Sequence, residues 1–340
     1  MLVKVFSDII YIARGLGIIL VVIGHYMWHP NWIWSPYLFH MPLFFFIGGL
    51  TVTPFKKIYY GIRKLSIELF IYYIQWYVII AIITYFITQT WKTSIIFNLG
   101  TGIDFFIFPW KHNNHNNSLF MVGWFIIAYF STSVIFKIIL TNIKPETSKI
   151  NMLIFGVTLG ITGIEVISPY YHTNKTWWVN VICQVCVGIM YFSIGYCLRD
   201  KIGKIIKFSV GLLSAFILGL LVFSGIAHEL GMSWSQYPDG FLVHLATSLL
   251  GIVSVLSFAK KLNKTILKGH LIMIGQFSKS IMTLHILWLV ITGLCLGFIG
   301  IVDINKISAL HHEVNLPLSI IYIIMSLYGS IITAKILKMR

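Results

Sequence analysis

Charge is what this 340-residue chain has least of: Asp, Glu, Lys and Arg make up 10% of it, hydrophobic residues 58%, and the mean hydropathy is +0.86. So few ionisable groups would not cover the surface of a water-soluble domain of this size, which excludes that class and leaves a polytopic membrane protein. Acidic residues are scarcer still, 10 Asp and Glu against 25 Lys and Arg, for a net charge of +15. In a soluble protein that imbalance would suggest nucleic acid. Here the loading of cytoplasmic loops with cations is the more economical cause, and no nucleic-acid partner is expected. Four cysteines are too few for a disulfide framework. Cys183 and Cys186 form a CxxC inside an apolar segment without two further ligands nearby, which reads as helix packing rather than metal or redox work. A cleaved signal peptide is not expected either, because Arg14 interrupts the first apolar run and no small-residue cleavage site follows. No internal repeat or flexible linker divides the chain, so residues 1–340 read as one all-α integral-membrane domain.

What is present is a series of apolar stretches separated by basic or aromatic loops. About ten spans are predicted, at roughly 9–28, 37–53, 67–88, 119–140, 150–168, 178–198, 208–228, 240–259, 280–301 and 315–335, each long enough or nearly so to cross a bilayer. Alternate loops carry the cations: Lys56, Lys57, Arg63 and Lys64, then Lys144 and Lys149, then Arg199, Lys201, Lys204 and Lys207, then Lys260, Lys261, Lys264 and Lys268, with Lys335, Lys338 and Arg340 in the tail. The other loops hold only Lys92, Lys111, Lys175 and Lys306, so both termini are expected on the cytoplasmic side. The outer loops are rich in Trp, as at Trp28, Trp32, Trp34, Trp177 and Trp178, where such residues anchor the interface. The longest outer segment contains KHNNHNNS; its His112 and His115 are surrounded by Asn and read as a solvated loop, with no metal expected.

Depth in the membrane singles out a few residues. Arg14 and His25 lie on the first span, roughly 16 Å apart at the rise of an α-helix. His40 begins the second span, His285 sits roughly 22 Å up the ninth, and Glu165 occupies a comparable height on the fifth. Ionisable groups at such depth are functional candidates. A buried imidazole suits general-base work. An arginine near the inner face suits an anion arriving from the cytoplasm, and the loop TPFKKIYYGIRK adds cations at that face.

These residues resemble a known family. Arg14, ten residues and then His25, followed by FHMPLFFFIGG, is similar to the integral-membrane acyltransferase 3 family, and within it to the glycan and fucose O-acetylase branch. TPFKKIYYGIRKL takes the place of the family's basic segment, GWFIIAYF (Trp124, Phe125) resembles its Trp-Phe motif, and IGQFSKSIMTLH (Gly275, Ser278, His285) resembles its late Ile-Gly-x-x-Ser…His motif. Three positions depart from the pattern: Ser66 stands where a second arginine is common, Gly48 replaces a Ser before Gly49, and Lys279 is an unexpected charge.

The resemblance implies an acyl-CoA donor, usually acetyl-CoA, bound from the cytoplasm, with no metal. The acceptor it implies is a sugar hydroxyl of a cell-envelope polysaccharide or lipid-linked oligosaccharide. His25 would be the catalytic base and Arg14 would hold the donor or the active geometry. Arg63 and Lys64 would bind the nucleotide phosphates, and Trp124, Ser278 and His285, with His40 and Glu165 at the same level, would line the substrate site. Abundant Ile, Lys and Asn suit an AT-rich bacterial genome, hence a bacterial cytoplasmic membrane. A flippase or transporter of lipid-linked sugars is the competing class, for which deep charges spread along a path and internal symmetry are expected.

Overall fold

A computed structural model of the chain describes residues 2–26, 35–91, 93–98, 110–143, 149–310 and 316–338. Trp28, Trp32, Trp34, Lys92, Lys144 and Arg340 lie outside them. The principal helices are α1 (Leu2–Tyr26), α2 (His40–Thr51), α3 (Ile58–Thr90), α4 (Gly123–Asn142), α5 (Lys149–Asn174), α6 (Trp177–Leu198), α7 (Phe208–Phe223), α8 (Gly240–Leu262), α9 (Lys268–Gln276), α10 (Ser278–Phe298) and α11 (Leu316–Ile336). Among the described residues there is no β-strand. Among the described residues eight helices are long and apolar enough to cross a membrane, and α2 and α7 are shorter apolar helices, so each expected span coincides with a helix. The chain is an all-α, multi-pass membrane protein.

Local sequence explains the differences in length. α2 is cut short at its start by a 3-10 turn, Pro36–Leu38, where the Ser35 hydroxyl accepts from the Tyr37 amide, and at its end by the approach of Pro54. Its 12 residues would span only roughly 18 Å, less than a hydrocarbon core. It survives because His40 through Leu50 are all buried in protein and none has to meet lipid. α3 does the opposite. It starts at Ile58, well before the expected residue 67, because nothing in IYYGIRKL breaks a helix, and its first turns lie beyond the apolar run with Tyr59, Tyr60, Arg63 and Lys64 exposed. In α5 a π-helical turn, Thr162–Ile167, falls immediately before Ser168 and Pro169, where proline has no amide to donate.

α1 is the hub. It packs against α2, α8, α9, α10 and α11, and Ile9, Ile12, Ala13, Ile18, Val22 and Tyr26 are buried in these contacts. Two close approaches set the spacing. A Cβ on Gly275 of α9 would stand 1.8 Å from the Tyr11 carbonyl oxygen of α1. Between α2 and α6 the contact is reciprocal: a Cβ on Gly49 would meet the Phe192 carbonyl at 2.0 Å, and one on Gly195 the Phe46 carbonyl at 2.2 Å. Small residues at such crossings let backbones touch where lipid offers no hydrophobic drive. The absent serine is explained in the same way, since the space beside Gly48 is filled by the Phe192 ring at 2.4 Å and the Tyr129 hydroxyl at 2.8 Å.

Hydrogen bonds and ion pairs sort the loops into two ends. At one, Lys268 pairs with Asp8 at 2.8 Å, Lys149 pairs with Asp200, Lys260 donates to the Gly203 carbonyl at 2.9 Å, and the Phe55 amide donates to Thr141 at 2.9 Å. This is the basic end. At the other, the Ser233 carbonyl accepts from the side-chain amides of Asn113, Asn180 and Gln184 at 2.5, 2.9 and 2.7 Å. There the sequence reading of KHNNHNNS needs correcting. Asn113, Asn114, Asn116 and Asn117 are buried, not solvated, because each amide has a partner inside: Asn114 accepts from the Tyr73 hydroxyl at 2.6 Å and Asn117 from Thr84 at 3.1 Å. Cys183 is buried and donates to the Gly163 carbonyl at 3.0 Å, in keeping with a packing role.

The α2–α6 contact yields a stability prediction. Gly195→Ala forces a methyl group against backbone and is expected to cost about 1–3 kcal/mol or more, lowering the unfolding midpoint of the detergent-solubilised protein. Gly203→Ala, whose methyl meets nothing within 4 Å, is expected to leave that midpoint unchanged or slightly raised. Equal midpoints for the two variants would contradict the close approach.

Candidate active site between Arg14 and the loop end

Arg14 and His25 are eleven residues apart on α1, close to three full turns, so both project from the same helix face roughly 16 Å apart. Along that face lie three cavities. The first, of about 180 Å³, is lined by Arg14, Phe44, Leu69, Phe125, Ile126, Tyr129, Ser278, Lys279 and Met282. The second, of about 110 Å³, takes in Val21, His25, Tyr37, His40, His115, Trp124 and Phe125, with Leu230 to Ser233 closing it at the loop end. The third, of about 430 Å³, is bounded by Gly24, His25, Tyr37, Glu229, Leu230, Gly231, Gln236 and Leu310. Phe125 and Met282 belong to both the first and the second cavity, and His25 and Tyr37 to both the second and the third. His25 therefore faces the interior and stands at a junction, not against lipid.

The imidazoles predicted to share one layer do converge. The His25 and His285 rings are 5.1 Å apart, Tyr37 packs edge-on to His25 at 6.2 Å, and Tyr37 packs edge-on to His40 at 5.0 Å. Two tautomers follow from partners that only accept. His40 Nδ1–H donates to the Pro36 carbonyl at 2.6 Å, and His285 Nδ1–H donates to the Ile281 and Met282 carbonyls at 2.9 Å each. In both rings Nε2 is left as the acceptor. His285 Nε2 and His25 Nδ1 are buried and have no hydrogen-bond partner among the described residues. A buried polar atom without a partner is costly, and two on neighbouring rings mark a place where a ligand or a proton completes the arrangement.

His115 is the imidazole that sequence reasoning set aside. Its Nδ1–H donates to the Asn113 carbonyl at 2.8 Å, its ring lies 4.6 Å from Trp234, and burial lowers its pKa, so it is neutral at pH 7 and offers Nε2 as an acceptor. Alternation of His with Asn was the only signal, and it is equally the signature of a wet loop. Glu229, which bounds the third cavity and accepts from the Ser35 hydroxyl, had no signal beyond being one of few acidic residues.

Other expected site residues fall in two groups. Trp124 lines the second cavity and Ser278 the first, as the motifs implied. Glu165 is not with the histidines: its carboxylate accepts from the Phe241 amide at 2.6 Å and caps the start of α8, a position to which the π turn of α5 rotates it. Arg63 and Lys64 are exposed on the first turns of α3 and line none of the three cavities, and Lys64 pairs with Glu68 at 3.8 Å.

Such a set, with neutral imidazoles midway, cations at one end and a carboxylate at the other, can remove a proton from a hydroxyl while an anionic ligand is held from the basic side. Comparison with known proteins bears on which chemistry this is. A stretch of 99 residues is 26% identical to Transmembrane 7 superfamily member 3 of Homo sapiens, covering 29% of this chain and 16% of that protein. No solved structure matches. A profile of the Acyltransferase domain family matches residues 8–335, nearly the whole chain and every element that contributes to the three cavities. By that match the chain belongs to the acyltransferase 3 family.

Proposed function

We propose that the protein transfers an acetyl group from acetyl-CoA, bound at the basic end, to a sugar hydroxyl of a cell-envelope polysaccharide or lipid-linked glycan that enters from the loop end. The observation that carries this is the row of cavities with shared walls, with His25 between the last two and Arg14 in the first. The bias of Lys and Arg toward the basic end supports a cytoplasmic position for that end and for both termini, and the abundance of Ile, Lys and Asn supports a bacterial cytoplasmic membrane.

Dimensions fit a pantetheine arm. Thirteen bonds separate its inner phosphorus from its sulfur, roughly 15 Å at the per-bond reach of an extended chain. That is close to the rise from Arg14 to His25, so a thioester at His25 leaves its phosphate at Arg14. Phe125 and Met282 are the partition the arm has to pass. The third cavity, bounded by Tyr37, Glu229 and Gln236, offers polar groups to a sugar.

In the reaction His25 takes the proton of the sugar hydroxyl as its oxygen attacks the thioester carbonyl. Collapse of the tetrahedral intermediate breaks the carbon–sulfur bond, and the departing thiolate receives the proton back. While His25 is protonated both of its nitrogens are donors, and the His285 acceptor on the neighbouring ring suits one of them. Transfer of the acetyl group through an acyl-imidazole on His25 would use the same residues in two steps.

Two outcomes check this reading. His25→Ala is expected to lower transfer of labelled acetyl from acetyl-CoA into glycan by about 10²–10⁴-fold while the protein still inserts and unfolds at the same temperature. Wild-type labelling in that variant, or movement of lipid-linked sugar across the membrane with no label transferred, would overturn it. Arg14→Lys keeps the charge but loses the two-pronged grip, and KM for acetyl-CoA is expected to rise roughly ten- to a hundred-fold, measured in the same membranes.

A further inference from the structure

The first cavity has a feature that the donor assignment leaves unused. Its described lining is apolar apart from Arg14, Ser278, the Tyr129 hydroxyl and Lys279, and the charged members are both cations. Two cations and two hydroxyls in one otherwise apolar recess are a lining that suits an anion. Lys279 is held there by geometry. It is the second residue of α10, six residues and so roughly 9 Å before His285, and its side chain tilts further toward the helix start, toward the level of Arg14. Its ammonium sits 4.4 Å over the Tyr72 ring and donates to the Glu68 carbonyl at 3.4 Å, with the Glu68 carboxylate a nearby opposite charge. Arg63 and Lys64, the cations in the expected phosphate-binding segment, are outside this cavity.

We infer that Lys279, together with Arg14, grips the phosphate of the donor that lies next to the pantetheine arm, and that Arg63 and Lys64 do not. The inference rests on the acetyl-CoA reading above. It makes Lys279 a donor-binding residue, with the Ser278 hydroxyl beside it as a further hydrogen-bond donor to the same phosphate. The reacting atoms are a pantetheine length away, so its loss weakens binding and leaves the chemical step intact.

The test compares two donors that differ in their phosphates. With acetyl-CoA, Lys279→Met is expected to raise KM about tenfold or more with kcat within about threefold, and Lys279→Arg to recover most of the loss. With S-acetylpantetheine, which carries no phosphate, Lys279→Met and wild type are expected to have the same kcat/KM. An equal loss with both donors would mean a structural role and overturn the inference, as would a KM increase for Arg63→Gln or Lys64→Gln as large as that for Lys279→Met. Equilibrium binding of tritiated coenzyme A to the purified protein separates this from the reaction itself. Binding that is lost in Lys279→Met, in a wild-type protein that transfers no acetyl group, would sink the reaction and support the site. Binding unchanged by Lys279→Met would sink the site whatever the reaction.

Discussion

The structure depends on packing α1 among five other helices while Arg14 and His25 stay on one of its faces. A cation and an imidazole enclosed by apolar protein are expensive unless something answers them. Among the described residues no carboxylate pairs with Arg14, and His25 has an unanswered buried nitrogen. The five neighbours of α1 instead leave cavities in front of both groups. A purely structural helix would have been better served by aliphatic residues at both positions, so the retained polarity points to ligands.

The rest of the architecture serves that arrangement. α2 and α6 come together through Gly49 and Gly195 until their backbones touch, which places His40 and Phe44 against the cavities. α10 brings Ser278, Lys279, Met282 and His285 along a single helix, so one element contributes to both the cation end and the imidazole layer. At the loop end the segment after α7 folds back over His25, and the Ser233 carbonyl, taking three side-chain amides, holds it down. That carbonyl and its three donors satisfy one another, which helps irregular backbone persist beside a membrane interior.

Much of this was legible beforehand. Long apolar runs and the clustering of cations in alternate loops located every span, because both follow from the cost of putting charge and unsatisfied backbone into hydrocarbon. The convergence of His25, His40 and His285 was legible only as a shared depth. Lateral position is set by which helices touch, and in lipid that choice turns on small residues such as Gly49, Gly195 and Gly275, whose partners cannot be read from the chain. The places where the geometry departs from the expected grouping have the same origin. Glu165 had the right height, yet it accepts from the amide of Phe241; Arg63 and Lys64 had the right charge, yet they stand exposed and line none of the three cavities. The Asn-rich loop looked wet because an amide carries no mark of whether water or protein will satisfy it.

By itself the amino-acid sequence determined the class, the rough positions of the apolar spans, the alternation of basic and aromatic loops, and the pairing of Arg14 with His25 three turns along one helix. These are one-dimensional consequences of hydrophobicity and helical rise. Only the tertiary structure decided which charges share a cavity, that His115 joins the imidazoles, that Lys279 and not Arg63 stands with Arg14, and that His25 faces inward. Those outcomes depend on contacts between segments far apart in the chain, where close packing of a few small residues outweighs anything that local sequence expresses.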